Sequence, residues 1–333
     1  MNLPDVSKIS GAEKKPQPHH IKPMLATLVD KAFDREGWFF EIKWDGYRAI
    51  AELVGSKVNL YSRNGISFNE IFGPIKDSLQ KVSYSAIFDG EIVVLDEHGR
   101  SNFQLLQQYR KKGKGNIIYY VFDLLYFNSH VLMKVPLRER KKVLKKILPQ
   151  MHNIKFSDHI ERVGIKMFKT ALKNNLEGII AKDKNSFYTP GVRSRAWLKI
   201  KARHEQEVVI GGFTEPKGGR KNFGALAAGV YKKKDLIFIG LVGGGFSEDD
   251  LDEIKRKLDK IATNKSPFKK FPKIGENVYW VKPRLVAEVK FAEWTKDNLM
   301  RQPVFIGLRV DKYPVDVRME KPRKENFKKV LNK

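Results

Sequence analysis

EIKWDGYR, residues 41–48, sets a lysine between Ile42 and Trp44 at the end of the apolar run WFFEIKW, residues 38–44. An ammonium belongs in water, so Lys43 has three readings. It is a strand lysine with a buried stem and solvated head, one half of a buried ion pair, or an activated amine that does chemistry. For a lone lysine the first is the ordinary reading. The choice depends on what else the chain carries.

The chain has 333 residues, a length that favours two domains over one. It is 41% hydrophobic, enough to fill ordinary cores and too much for a disordered basic tail. Sixty-four Lys and Arg residues against 38 Asp and Glu leave a formal charge of +26. Such an excess implies attraction to a polyanion, either nucleic acid or an anionic membrane surface. The membrane alternative is weak. The longest apolar stretch, IIYYVFDLLYF at 117–127, contains Asp123, and it is far short of the roughly 20 residues needed to span. The opening MNLPDVSKISGAEKKPQPHH has no apolar core of the kind a signal peptide requires. With no cysteine there are neither disulfides nor thiolate metal sites, which suits a reducing compartment.

Residues 1–20 are polar, with Pro, Lys and Gly, and read as a flexible arm. From 21 to 203 the segments WFFEIKW, AIAELVG, KVNLYS, AIFDGEIVVLD and NIIYYVFDLLYF have the β-branched and aromatic content of strands. RERKKVLKKIL (138–148) and GIKMFKTALKN (164–174) repeat apolar residues at helical spacing. The mixture predicts an α+β layered domain with antiparallel sheets. From 204 to 315 the texture shifts to short glycine-punctuated strands, EVVIGGF, GALAAGVYKK, LIFIGLVGGGF and RLVAEVKFAEW. One helix, SEDDLDEIKRKLDKIA, interrupts them, with Ser247 as its expected N-cap. That set suits a small β-barrel of the OB-fold type. No GxxxxGK[ST] phosphate loop occurs, so the glycines read as hairpin turns and barrel corners. Residues 316–333 read as a basic C-terminal tail.

Beyond Lys43 the chain carries, in order, FDGE (88–91), VFDLLY (121–126), LEGIIAK (176–182), WLKIK (197–201) and LRVDK (308–312). Together with the lysine motif these resemble the ordered motifs of the covalent nucleotidyltransferases, the ATP-dependent DNA ligases and their mRNA-capping relatives. The longer wordings EIKWDGYRAI, SRNG, DGEIVVLD, FQLLQ, YTPGVRSRAWLKIK and RQPVFIGLRVDK are similar to the ligase domain of bacterial ligase D, over about residues 21–312. The expected fold is therefore a nucleotidyltransferase (adenylation) domain followed by an OB-fold domain.

The resemblance implies that Lys43 attacks the α-phosphorus of ATP, for which its amine must be neutral. Desolvation and neighbouring cations lower a lysine pKa, and flanking Ile42 and Trp44 are consistent with the first effect. Asp45 would shape the turn, Gly46 would allow close backbone approach, and Arg48 would donate to phosphate or to the nick terminus. Glu91 and Glu177 would serve the metal and the ribose, although DGE and EGI are singly also ordinary turn sequences. Glu41 and Ile42 belong to the segment expected to read the adenine edge. Phe122 is either a core residue or the ring stacked on adenine, and strand alternation does not decide which face it occupies. Arg63 is either a solvated turn arginine or a nucleotide contact. Lys199 and Lys201 share strand parity opposite Leu198 and Ile200, a suitable arrangement for clamping an α-phosphate, with Arg193 as a helper. Arg309, Asp311 and Lys312 would close over pyrophosphate in the first step and then withdraw.

The implied function is ATP-dependent sealing of 5′-phosphate/3′-hydroxyl breaks in nicked or broken duplex DNA, with Mg²⁺, or Mn²⁺ as the alternative ion. The setting would be repair and recombination in a bacterial cytoplasm at the nucleoid, including non-homologous end joining. The chain would act as a monomer, with a Ku-type end-binding protein as a candidate partner. Ligase D proteins often carry polymerase and phosphoesterase domains, for which 333 residues leave no room. Two rivals stand: an RNA ligase or capping-type nucleotidyltransferase on the same scaffold, and a non-catalytic OB-containing nucleic-acid binder.

Overall fold

The computed structural model describes residues 3–216, 218 and 221–322. The chain divides into two compact units, one formed by the polypeptide up to Ala202 and the other by Arg203–Lys321.

The first unit is built on two sheets. One follows the path Glu13–Lys14, His130–Val131, Asn116–Phe127, Ala86–Leu95, Tyr47–Val54 and Lys57–Ser62, with Ile154–Phe156 added parallel to Asn116–Phe127. The other runs His159–Glu161, Trp38–Ile42, Gly178–Asp183, Arg193–Lys201 and Leu25–Leu28. Its last pair is parallel, so the expectation of antiparallel sheets holds for most pairings but not for these two. Ile50, Ile87, Phe122 and Leu125 from the first sheet pack against Met24, Tyr188 and Trp197, closing the inner faces over a shared core. On the outer face of the second sheet, Phe40, Ile179, Ala181, Leu198 and Ile200 pack with Ala171 of the Gly164–Lys173 helix.

Alternation explains this layering, because successive side chains of a strand face opposite ways and each inner position can be polar while its neighbours are apolar. The quoted FQLLQ begins a helix, Phe103–Lys112, whose first N–H groups donate to the Asn102 side chain and whose end is closed by Gly113 at φ 67°. A further short helix, Gly73–Leu79, turns Ile75 and Leu79 into the core between buried Phe72 and Val82, a helical spacing the reading of the sequence did not use.

The arm at 1–20 departs from its expectation of flexibility. Glu13 and Lys14 pair with Val131 and His130, Val6 is buried, and the His20 N–H donates to buried Glu52 at 2.6 Å. Backbone hydrogen bonds to a sheet edge need no apolar pattern, so polar composition did not reveal them.

The second unit orders its strands Asp235–Val242, Leu226–Lys232, His204–Thr214, Val278–Phe291 and Ala262–Thr263, with Val304–Leu308 also on Val278–Phe291. The Glu248–Asp259 helix is capped by Ser247 in a reciprocal capping box with Asp250 and buries Ile254 and Leu258. Gly211 and Gly212 fall at the register shift of the central strand, where a Cβ on Gly211 would meet the Phe268 ring at 2.5 Å. They are corner glycines of the curled sheet, not a phosphate loop. The start of the expected tail also packs: Val317 is buried and accepts from the Tyr231 N–H, while Gln206 bonds the backbone of Arg318 and Glu320. The rest of that tail, 323–333, lies outside the described residues. Among the described residues no helix is long and apolar enough to cross a membrane.

Candidate active site

Register brings the polar inner face of the second sheet together. Glu41 and Lys199 both oppose Ile180, Lys182 opposes Phe39 and Trp197, and Lys201 opposes Gly178. Ile42 pairs with Ile179 and so lies on the opposite face from Glu41. On that strand Ile42 offers the inner face its backbone, not its side chain.

Lys43 follows directly. Its N–H donates to the Gly178 carbonyl at 3.0 Å, and its Nζ lies 2.5 Å from Glu177 Oε1. Lys201 Nζ lies 4.0 Å from the same oxygen. Burial pulls the Lys43 pKa down most strongly, Glu177 pushes it up, Lys201 pulls it down and Glu91 pushes it up; the net direction is upward. The expected depression is thus reversed, because two carboxylates outweigh burial and one cation. The amine rests as an ammonium. Of the remaining motif residues, the Asp45 N–H donates to Ser101 Oγ at 3.1 Å. A Cβ on Gly46 would meet the Ile92 carbonyl at 2.2 Å, so the close approach there is to the chain's own backbone.

Glu91 sits opposite Arg48 on the neighbouring strands of the first sheet. Arg48 does not present an open fork. Its Nε and Nη2 donate to the two oxygens of fully buried Asp89 at 2.9 and 2.6 Å, and the Tyr188 hydroxyl donates to Asp89 at 2.7 Å. The Arg48–Asp89 pair joins neighbouring strands of the first sheet, and Tyr188 links it to the loop after Gly178–Asp183. That pair occupies the Nε and Nη2 edge of the guanidinium, and Nη1 is not part of it.

Phe122 turns inward, 9% exposed, with Lys182 Nζ 4.1 Å and the Arg48 guanidinium 5.3 Å from its ring centre. Beside it Glu41 is buried with both oxygens engaged, by Lys141 at 2.7 Å and Lys182 at 2.8 Å. Burial lowers the Lys182 pKa to about 8, against the upward push of Glu41. The sequence reading passed over three members of this group. Lys182 ends the apolar strand of LEGIIAK much as Lys43 ends WFFEIKW, and that parallel was available. Asp89 stood in the quoted DGE. Lys141 shares the buried stripe of its helix with Leu137 and Leu144, a spacing of four and seven that its basic neighbours masked.

Arg63 and Arg193 also belong to the first unit. Arg63 comes one residue after the Ala49–Ser62 pair, at the same sheet end as Arg48, in a turn braced by Ser62. Arg193 donates to the Ala26 carbonyl at 2.6 Å from the far end of its strand. A bulge between Ser194 and Leu198 shortens the run, so the residues opposite Arg193 and Lys199 on the neighbouring strand, Leu25 and Leu28, are three apart, roughly 10 Å. In the second unit Arg309 grips Asp311 at 2.8 and 2.7 Å and Glu288 at 3.0 Å, and Lys312 pairs with Glu207 at 2.6 Å.

Residues 23–201 match the family model described as the ATP dependent DNA ligase domain, and residues 219–312 match the ATP dependent DNA ligase C terminal region. The chain belongs to the ATP-dependent DNA ligase family. It is 38% identical over 318 residues to the multifunctional non-homologous end joining protein LigD of Pseudomonas aeruginosa, covering 93% of this chain and 38% of that protein. It is similar to the solved structure of mycobacterial DNA ligase D complexed with ATP and MES. The identity is 32% and the TM-score 0.67, with 90% of this chain and 98% of that one covered. The ligase domain of M. tuberculosis LigD matches at 34% identity and TM-score 0.51 over the same shares. The family's two-part architecture, a nucleotidyltransferase domain and a C-terminal OB-fold-type domain, is the one described above. This ligase-family chain spans 38–40% of the length of the LigD relatives it matches.

Proposed function

We propose that this chain seals 5′-phosphate/3′-hydroxyl breaks in duplex DNA through a lysyl-AMP intermediate, using ATP. The observation that carries the reading is Lys43 held against Glu177, with Lys201 on the same carboxylate. The neutral Lys43 amine forms a bond to the α-phosphorus, the bond from that phosphorus to the bridging oxygen breaks, and pyrophosphate leaves. A 5′-phosphate oxygen of DNA then takes the AMP and frees Lys43. Attack by the 3′-hydroxyl on the 5′-phosphorus expels AMP and closes the strand.

Each chain residue has a task in this scheme. Lys199 and Lys201 hold the α-phosphate, where their fixed charges act as the transferred group develops negative charge. Glu41 and Lys182 line the base end beside Phe122, whose ring would stack on adenine. Arg63 is assigned a nucleotide contact. Arg48, through Asp89 and Tyr188, braces the first sheet beside the nucleotide, and Arg193 helps the paired lysines from its end of the strand. Arg309 and Lys312 meet the departing pyrophosphate once they exchange their carboxylate partners for it.

Among the described residues no group of three or more His, Asp or Glu side chains stands ready for a metal. Two carboxylates, Glu91 and Glu177, act on Lys43. That donor set fits a hard ion taking one or two carboxylates, with waters and substrate oxygens filling the rest. Glu91 and Glu177 would hold Mg²⁺, or Mn²⁺ in its place, which when bound neutralises phosphate charge.

Nicked or broken duplex DNA is the proposed substrate, and a formal charge of +26 supports it. By analogy with the end-joining relatives, we place the chain in bacterial repair, at the nucleoid, as a monomer with a Ku-type partner. Labelling by ATP and not GTP, followed by sealing of nicked and blunt duplexes with and without Ku, tests the reading. Labelling by GTP alone would turn it towards the capping rival.

A further inference from the structure

Trp44, just after Lys43, and Glu41, two residues before it, both connect to one buried serine. Ser157 is 1% exposed and lies between the Ile154–Phe156 and His159–Glu161 strands. Its Oγ accepts from the Trp44 indole N–H at 3.0 Å. Its carbonyl accepts from Lys141 Nζ at 3.0 Å, and that ammonium also donates to Glu41 at 2.7 Å. Its own N–H donates to the Val121 carbonyl at 2.8 Å, next to Phe122. One residue therefore bonds the position after the nucleophile directly and reaches the position two before it through a single ammonium.

The Trp44 ring adds a second constraint. It stacks on Tyr120 with centroids 3.6 Å apart and planes 8° from parallel. Tyr120 is the cross-strand neighbour of Glu91. Ring stacking alone lets an indole slide within its plane, whereas a directional bond from Nε1 fixes its rotation. With both constraints the backbone at Trp44, and the root of the Lys43 side chain beside it, has one orientation. A displacement of about 1 Å at a reacting atom can cost roughly 100-fold in rate.

We infer that Ser157 is a positioning residue for the nucleophile, acting through Trp44 on the line of attack of Lys43 rather than on nucleotide binding. The inference rests on the proposed lysyl-AMP chemistry. Ser157 touches neither substrate nor reacting atoms in this scheme.

The test measures enzyme–AMP formation from α-labelled ATP in single turnover, as a function of ATP concentration, on the full chain. Ser157→Ala removes only the hydroxyl and keeps the backbone contacts. Its maximal rate should fall about tenfold, while half-saturation by ATP stays within about twofold. Ser157→Thr, which retains a hydroxyl, should recover most of the rate. Trp44→Phe keeps a ring for Tyr120 but loses the donor. It should lower the rate similarly, and the double variant should be no slower than either single one, since both remove the same bond. Sealing of a pre-adenylylated nick, which does not use the Lys43 amine, should be unchanged in all of them. An unchanged Ser157→Ala rate, multiplying losses in the double variant, or a loss confined to ATP half-saturation would each overturn the inference. Failure of the wild-type chain to form enzyme–AMP would instead remove the underlying reading.

Discussion

Lys43 Nζ and Glu177 Oε1 are 2.5 Å apart, and this contact makes the proposed nucleophile a cation at rest. The amine must lose its proton before it can attack. The same carboxylate is a proposed metal contact, so binding the ion with nucleotide would weaken the hold of Glu177 on that proton. Storage of the nucleophile and its release are thus linked at one side chain.

Lys43→Ala should reduce enzyme–AMP formation below about one thousandth of wild type, because no other amine stands in line with the phosphorus. The variant should still close a chemically pre-adenylylated nick, if slowly. Near-normal labelling of the variant by ATP would dismiss Lys43 from its role.

Glu91→Ala and Glu177→Ala should each slow the metal-dependent reaction by about 100-fold or more and shift the Mg²⁺ titration to higher concentration. Both proteins should remain folded, as read by circular dichroism. Superimposable Mg²⁺ curves for wild type and both variants would leave these acids as turn residues.

Asp89→Ala should be a stability variant before it is a catalytic one. It leaves the buried Arg48 guanidinium without its bidentate partner, a loss of about 3–5 kcal/mol for a buried pair. Urea unfolding measures it. A change under about 1 kcal/mol would mean that the pair is solvated and that Arg48 is available to substrate.

Lys182 should make stability rise with pH in the alkaline range. Its folded pKa is about 8 against an ordinary 10.5, so between these values the unfolded chain carries a proton that the folded chain lacks. Raising the pH from 8 towards 10 then favours folding, by on the order of 1–3 kcal/mol. Lys182→Met abolishes this titration, and the difference between wild-type and variant stability should grow over that window. A constant difference from pH 7.5 to 10 would show that Lys182 stays charged.

Lys312→Ala separates a moving clamp from a static DNA contact. Its partner Glu207 is partly exposed, so losing the pair costs the second unit little. A pyrophosphate contact predicts slower enzyme–AMP formation and normal sealing of a pre-adenylylated nick. The Arg309→Ala, Lys312→Ala double variant should show the same split more strongly. Normal enzyme–AMP formation with weak, salt-sensitive nick binding would falsify the clamp.

The sequence by itself determined which residue types occur together and in what order. Lys43, Glu91, Glu177 and the Lys199–Lys201 pair could be proposed because the ordered motifs that hold them resemble those of the nucleotidyltransferases, a resemblance read without knowledge of the fold. Strands such as WFFEIKW and NIIYYVFDLLYF were legible because their composition is a local property. The Ser247 cap was visible for the same reason. Tertiary structure alone decided partners. That Arg48 grips Asp89, and that Lys43 rests charged against Glu177, depends on groups 41 and 134 residues along the chain. Lys141 looked like one more basic residue until its helix packed and carried it 100 positions back to Glu41. Charge–charge energy and desolvation follow distance in space, not in sequence, so the same lysine symbol can denote a solvated surface group, a buried tether or a nucleophile.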